Sequence, residues 1–338
     1  KTLHGESMSS ENDDQHVAAR RRWLKAAAVG GAMLASGAAA IGFGPAAFAQ
    51  RPAKTLRIGY QKYGTLVLLK ARGTLEKRVA NEGVTVKWLE FPAGPQLLEG
   101  LNAGAIDFGT VGETPPIFAQ AAGVDFVYVA NEPPAPTSEA IVVPRNSPIK
   151  TVADLRGKKV ALNRGSNVHY LLVRALRHAG LDYADIQPAY LAPADARAAF
   201  TQGSVDAWVI WDPYFAAIQR QADARVLVDG TGLVDNTQFY LAARKFAATE
   251  PKLVHAVLEE LAKADAWAKA HPVEVARELA PLVGLDASTV ELAARRAAYG
   301  ATPVTAQVLA SQQTIADTFG ELKLIPKRIA VHDAQWLA

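Results

Sequence analysis

The stretch FPAGPQLLEGLNAGAIDFGTVGETPPIFAQ, residues 91–120, decides how this chain is read. Gly94-Pro95 and the segment 112–116 are glycine turns, each following an expected strand end and opening an expected helix. Proline suits the first helical position because its missing N–H would be unpaired there in any case. A helix start presents free N–H groups and the positive end of the dipole, so it binds anions. Two such starts facing one cleft predict a receptor for a small anion. Either turn alone is no more than an ordinary strand-to-helix connection.

Part of the stretch recurs. Leu101-Asn102-Ala103-Gly104-Ala105-Ile106-Asp107-Phe108 returns as Phe200-Thr201-Gln202-Gly203-Ser204-Val205-Asp206-Ala207. Each copy reads as the end of an apolar helix, a closing glycine, and Ile/Val-Asp leading into a short strand. Each strand then runs into an X-Pro helix start, Thr114-Pro115 and Asp212-Pro213. Two similar α/β units predict a bilobed protein. The shared context of Asp107 and Asp206 gives both a structural role at a strand start rather than a pairing for catalysis.

Working outward, strands are expected over 55–60, 85–91, 105–111 and 125–130, with helices over 66–82, 96–102 and 115–122. The segment 131–138, NEPPAPTS, reads as a surface connector. A second unit follows: strands 139–144, 159–163 and 205–211, and helices 151–155, 166–179 and 195–201. Residues 239–242 read as a return strand, and helices then cover 251–269, 272–279, 287–298 and 305–319. The alternation implies open, mainly parallel sheets. Extended crossings near 140–143 and 238–241 make a hinge. The expected division is 1–49 as an N-terminal extension and export signal, 50–140 with 240–338 as one lobe, and 141–239 as the other.

Arg20-Arg21-Arg22-Trp23-Leu24-Lys25, a small-residue apolar run and Ala47-Phe48-Ala49 form an export signal with Gln50 as the expected mature start. The order Arg-Arg-x-aromatic-Leu-Lys matches a twin-arginine signal, with an arginine-rich general secretory signal as the alternative. Met8 is the expected initiator. A net charge of +3 gives no basic stripe for nucleic acid. The absence of cysteine excludes disulfides, thiolate metal sites, a cysteine nucleophile and a lipid-attachment cysteine. The expected product is a free periplasmic protein, a monomer without a lipid anchor.

Enzyme motifs are missing: the sequence has no phosphate loop, no HExxH and no GxSxG elbow. The histidines are scattered without ligand spacing, so no metal, cofactor or catalysis is expected. In the second unit Arg164-Gly165-Ser166-Asn167 follows a strand and opens a helix. Ser166 is placed to cap that helix or to donate to an anion. Trp208 and Trp211 fall on opposite faces of one strand. Trp211, nearer the C-terminal end where open α/β sheets bind ligands, is the candidate cleft residue.

The motifs IGYQK (58–62), FPAGPQLLEGLNAGAID (91–107), PPIFAQAAG (115–123), NSPIKTVADLRGKKVA (146–161), PADARAAF…VDAWVIWDPY (193–214) and FYLAAR (239–244) together resemble the aliphatic sulfonate-binding proteins of ATP-driven importers. The resemblance covers nearly all of 55–331. It implies a type II periplasmic binding protein, with two α/β lobes joined by two crossover strands. It also implies capture of an alkanesulfonate and delivery to an inner-membrane permease with its ATPase. Carried over position by position, it points to Gln61, Gly94-Pro95, Gly112-Glu113-Thr114, Arg164-Gly165-Ser166-Asn167 and Trp211 as ligand-binding residues. Two departures, Tyr63-Gly64-Thr65 in place of a small-residue loop and Asn167 in place of a small hydroxyl, bear on which sulfonate is chosen. The related taurine and nitrate binders share the fold and parts of these motifs, and a non-transport sensory receptor is a further alternative.

Overall fold

The structure is a computed structural model that describes residues 54–222 and 224–337. The export motif, its cleavage site and Met8 lie outside the described residues.

Two sheets of five strands carry the fold. In the first, β1 (Lys54–Tyr60) lies between β2 (Val84–Glu90) and β3 (Phe108–Gly112), all parallel. The return strand β10 (Gln238–Ala243) inserts antiparallel between β3 and β4 (Phe126–Asn131). The second sheet repeats the plan. There β6 (Lys159–Leu162) lies parallel between β7 (Gln187–Tyr190) and β8 (Ala207–Trp211). The first crossover strand, β5 (Glu139–Pro144), inserts antiparallel between β8 and β9 (Ala224–Asp229). Each sheet thus receives one strand from the chain crossing to or from the other.

The repeat read in the sequence is a structural repeat. Gly104 and Gly203 turn with φ of +69° and +70°. The N–H of Asp107 donates to the Arg57 carbonyl and that of Asp206 to the Lys159 carbonyl, both at 2.8 Å. Each carboxylate accepts the N–H back, from Arg57 at 2.9 Å and from Lys159 at 2.8 Å. Each aspartate therefore pins the start of its strand to the neighbouring one.

Helices α1 (Gly64–Arg72) and α2 (Thr74–Ala80) replace the single helix expected over 66–82. Gly73, at φ +60°, closes α1 by donating to the Leu69 carbonyl, which only a glycine does without strain. Helices α3 (Gly94–Asn102), α4 (Pro115–Ala121), α5 (Asn167–His178) and α6 (Pro193–Thr201) follow the expected positions. Helix α7 (Tyr214–Gln221) and strands β7 and β9 were not expected. Both strands are half-exposed sheet edges, which lack the continuous apolar run that marks buried strands.

The connector at 131–138 is not all surface, since Glu132 and Ala135 are buried. After β10 come α8 (Arg244–Thr249), α9 (Pro251–Ala270), α10 (Pro272–Val283), α11 (Ala287–Arg296) and α12 (Ala306–Glu321). Helices α9 and α10 pack on α1, whereas α11 reaches α7 beside the second sheet. Among the described residues no helix is long and apolar enough to cross a membrane.

Candidate functional site

The chain leaves β1 through Gln61-Lys62-Tyr63 into α1 and leaves β6 through Asn163-Arg164-Gly165-Ser166 into α5. These turns are equivalent: Ile58 pairs with Phe108 in one sheet and Val160 with Ala207 in the other, and Phe108 and Ala207 follow the repeated aspartates. Neither helix has a side-chain cap. Tyr63 and Ser166 are extended N-cap residues without a capping bond, and the Ser166 hydroxyl donates instead to the Asn163 carbonyl at 2.8 Å. Both starts reach one cavity, through Tyr63 and Gly64 on α1 and Asn167 on α5. Uncapped first-turn N–H groups converging on a cavity are an anion site in kind.

The cavity has a volume of about 80 Å³, room for roughly five to eight waters. One wall is a chain of amides and hydroxyls where the sheets meet. The Asn167 side chain donates to Asn236 Oδ1 at 3.1 Å and also to Glu139. Gln238 donates to the same Oδ1 at 3.2 Å, and the Tyr63 hydroxyl donates to Gln238 Oε1 at 2.8 Å. Asn236, held at φ +50°, donates to Ser138 Oγ at 2.9 Å. Trp211, Asp212 and Pro213 form a second wall, with Tyr214 edge-on to the Trp211 ring at 6.1 Å. Apolar residues of α1, α10 and α11 form the third.

Several buried carboxyls stand at or behind these walls, and burial raises the pKa of each. Burial pushes Glu113 up to about 8, against the Thr237 N–H that its Oε2 accepts at 3.0 Å. Burial, with the charge of Asp265, pushes Glu132 up to about 8. Glu139 is driven well above the ordinary range by burial and then by Glu113. Asp212 rises to about 6 by burial, opposed by Arg296 at 3.3 Å. Raised values reduce the charge that Glu113, Glu132 and Glu139 set against an anion, Arg296 balances Asp212, and Lys62 adds a cation to the lining. Among the described residues no cluster of His, Asp or Glu could hold a metal ion.

Of the residues singled out from sequence, Asn167 and Trp211 line the cavity. The others stand outside its lining. Gln61 donates to the Thr110 carbonyl at 3.0 Å and to the Tyr63 hydroxyl at 3.3 Å, so it braces the turn before α1. A Cβ on Gly94 would lie 2.7 Å from Pro115 Cγ. The turns at Gly94-Pro95 and Gly112-Glu113-Thr114 therefore pack on each other, and the helix starts that meet at the cavity are those of α1 and α5. Thr114 is fully buried and its hydroxyl has no partner. A Cβ on Gly112 would lie 2.9 Å from Asn167 Cβ, and one on Gly165 3.2 Å from the Phe118 ring. At these two glycines the two halves come into close contact. Arg164 is exposed, with its guanidinium 5.5 Å from the Tyr190 ring centre.

Sequence reasoning missed Asn236, Gln238 and the walls from α10 and α11. Asn236 carried a signal, because asparagine tolerates the left-handed conformation that a tight return turn needs. The helix walls carried none, since their apolar residues read as ordinary core.

Comparison with known proteins places the chain in a family. Residues 80–275 match the family model described as NMT1/THI5 like. The chain is 50% identical to an aliphatic sulfonates-binding protein of Escherichia coli K12, over 85% of this chain and 90% of that one. The structure of the alkanesulfonate-binding protein SsuA of Xanthomonas axonopodis pv. citri, bound to MOPS, superposes with a TM-score of 0.81 at 45% identity, covering 85% of this chain and 99% of that chain. That of the periplasmic aliphatic sulphonate binding protein SsuA of E. coli superposes with a TM-score of 0.76 at 50% identity, covering 85% and 93%.

Proposed function

The chain belongs to the NMT1/THI5-like family, among its aliphatic sulfonate-binding members, and from that premise we propose how its cavity holds a sulfonate. It is a periplasmic substrate-binding component of an ABC importer, with aliphatic sulfonates as ligands. The observation that carries the site reading is the convergence of the uncapped starts of α1 and α5, one from each sheet, on a cavity walled by amides. A sulfonate stays anionic at every physiological pH and offers three acceptor oxygens. It gives up no proton, so it suits N–H and amide donors and needs no base.

In this reading the head group lies between Tyr63-Gly64 and Asn167, with Trp211 beside it. Gly112 and Gly165 let the two halves close, and Gln61, Glu113 and Ser166 hold the surrounding turns. Two helix ends contribute about 0.3–1 kcal/mol each, up to about 2 when partly buried. Micromolar binding needs about 8 kcal/mol, so apolar burial and closure supply the larger share. The protein acts as a monomer, performs no catalysis, and hands its ligand to a membrane permease driven by an ATPase. Residues 1–49 direct export by the twin-arginine route, with cleavage after Ala49.

Calorimetric titration with methane- and butanesulfonate, taurine, nitrate and sulfate tests this. Alkanesulfonates should bind one per chain with micromolar or tighter affinity and should outcompete nitrate and sulfate. Tighter binding of either inorganic anion would reject the sulfonate reading.

A further inference from the structure

The third wall of the cavity differs in kind from the other two. Leu68 of α1, Leu279 and Val283 of α10, and Val290, Ala293 and Ala294 of α11 line it. All are buried, and all but Ala293 belong to one apolar cluster. The amides of the opposite wall bond to one another through Asn236, so the cavity is amphipathic, polar where the sheets meet and hydrocarbon-like between α1, α10 and α11. An apolar pocket next to an anion site offers nothing to the anion. It lacks partners for water, and an unfilled gap forfeits dispersion contacts along its whole lining.

A ligand with an anionic head and a hydrocarbon body satisfies both ends. We propose that the space between α1, α10 and α11 is the subsite for the ligand's hydrocarbon part, and that Leu279, Val290 and Ala293 determine which chain lengths are accepted. The inference rests on the sulfonate reading of the same cavity.

The wall is also tied to the opposite half. Arg296, the last residue of α11, meets Asp212 at 3.3 Å and lies 4.2 Å over the Phe215 ring. Arg220 donates to Ser288 at 2.7 Å. These contacts join α11, which carries three of the lining residues, to α7 and the turn before it. The alanines are the smallest side chains of this wall, so a larger side chain at Ala293 would take up part of the space.

The experiment is a titration of methane-, butane- and hexanesulfonate against the full chain and the variants Ala293→Phe and Leu279→Ala. In the unaltered protein affinity should rise about four-fold per methylene until the space is full. Ala293→Phe should weaken butane- and hexanesulfonate by at least about ten-fold and leave methanesulfonate within about two-fold. Leu279→Ala should move the best chain to a longer one. A flat series in the unaltered protein, or equal losses for all three ligands in the variants, overturns the subsite and leaves the sulfonate reading standing. An unaltered protein that binds none of the three overturns the sulfonate reading and the subsite with it. Should Ala293→Phe not fold, Leu279→Ala decides by the same criterion, because trimming a side chain leaves the backbone path intact.

Discussion

Counted from the repeated aspartates, Gly109 and Gly112 of β3 stand where Trp208 and Trp211 stand in β8. The strands have the same neighbours and the same start, yet one carries bare backbone and the other its largest side chains. At the first position bulk has moved between layers. A Cβ on Gly109 would lie 2.8 Å from Leu97 of α3, so the helix fills the space above β3. In the second unit Trp208 does the filling and packs against Phe200 of α6 at 6.1 Å. At the second position the exchange bears on the cavity. Bare Gly112 admits Asn167 from the opposite half, and Trp211 walls the cavity. The same strand end thus makes a contact between the halves in one unit and a cavity wall in the other.

The largest effect should come from the core position. Trp208 is 1% exposed, and Trp208→Ala should cost about 3–5 kcal/mol of stability through lost transfer and a residual cavity. Gly109→Ala at the matching site should cost about 1–3 kcal/mol by overpacking, because its Cβ also meets the Gly59 carbonyl at 3.1 Å. Urea unfolding of both variants compares them directly. A tolerated Trp208→Ala would mean that the two strands do not share one packing problem solved from opposite layers.

The cavity position separates closure from contact. Gly112→Val places carbon where Asn167 Cβ, Cγ and Oδ1 lie within 2.9–3.0 Å. Opening the halves relieves that overlap, so the free protein should unfold at nearly its usual denaturant concentration. Sulfonate affinity should fall by about 10–100-fold, the equivalent of about 1–3 kcal/mol of overpacking. Trp211→Ala should weaken binding by about ten-fold while still allowing closure. Small-angle scattering distinguishes them: ligand should contract the Trp211 variant and not the Gly112 variant. Contraction of both would place the closing contact elsewhere.

Much of this comparison was legible in the sequence because local chemistry dictates it. The aspartate after each closing glycine announced two equivalent units, and the glycines of 91–120 announced turns that open helices. What approaches them was not legible. Gly94 looked like an anion-binding helix start; it packs against Pro115 and stands outside the cavity lining, and only tertiary packing decides which turn lines the cavity. The break of the helix expected over 66–82 could have been read from Gly73, a residue that turns left-handed without strain. The walls of α10 and α11 could not, since a helix that lines a cavity and one that lines a core share the same apolar period.

The acids that follow the two strands, Glu113 and Asp212, sharpen the comparison through pH. Both are held above their ordinary values, Glu113 from 4.5 to about 8 and Asp212 from 3.8 to about 6, burial being the first cause in each. A carboxyl raised in this way keeps a proton that the unfolded chain has lost. Its stabilising share is complete below the unfolded value and is lost as pH rises through the folded one. Asp212 therefore matters between about pH 4 and 6, where Arg296 limits its rise, and Glu113 between about 4.5 and 8. Glu132 shares the second window. Between pH 6 and 8 each of these two groups should lower stability by about 1–3 kcal/mol, since one group contributes at most about 1.4 kcal/mol per pH unit. Glu113→Gln should make the fall shallower. Melting at pH 6, 7 and 8 measures it, and an unchanged slope in the variant would remove Glu113 from the account.

The smallest effects belong to the hydroxyls at the turns. Ser166 is 1% exposed and donates to the Asn163 carbonyl at 2.8 Å, so its hydroxyl is already committed within its own turn. Ser166→Ala should cost about 0.5–1.5 kcal/mol of stability, the worth of a typical internal hydrogen bond. Sulfonate affinity should stay within about two-fold, because the backbone N–H groups at the start of α5 are untouched. Thr114, at the place Pro213 holds in the other unit, is buried with a hydroxyl that has no partner. Thr114→Val removes a polar group whose solvation was lost without return, so stability should hold or rise by about 0.5–1 kcal/mol. Paired melting and titration of the two variants reads both quantities. Should either variant lose ten-fold in affinity at unchanged stability, its hydroxyl reaches the ligand after all, and the head group lies nearer the end of β3 than the starts of α1 and α5 imply.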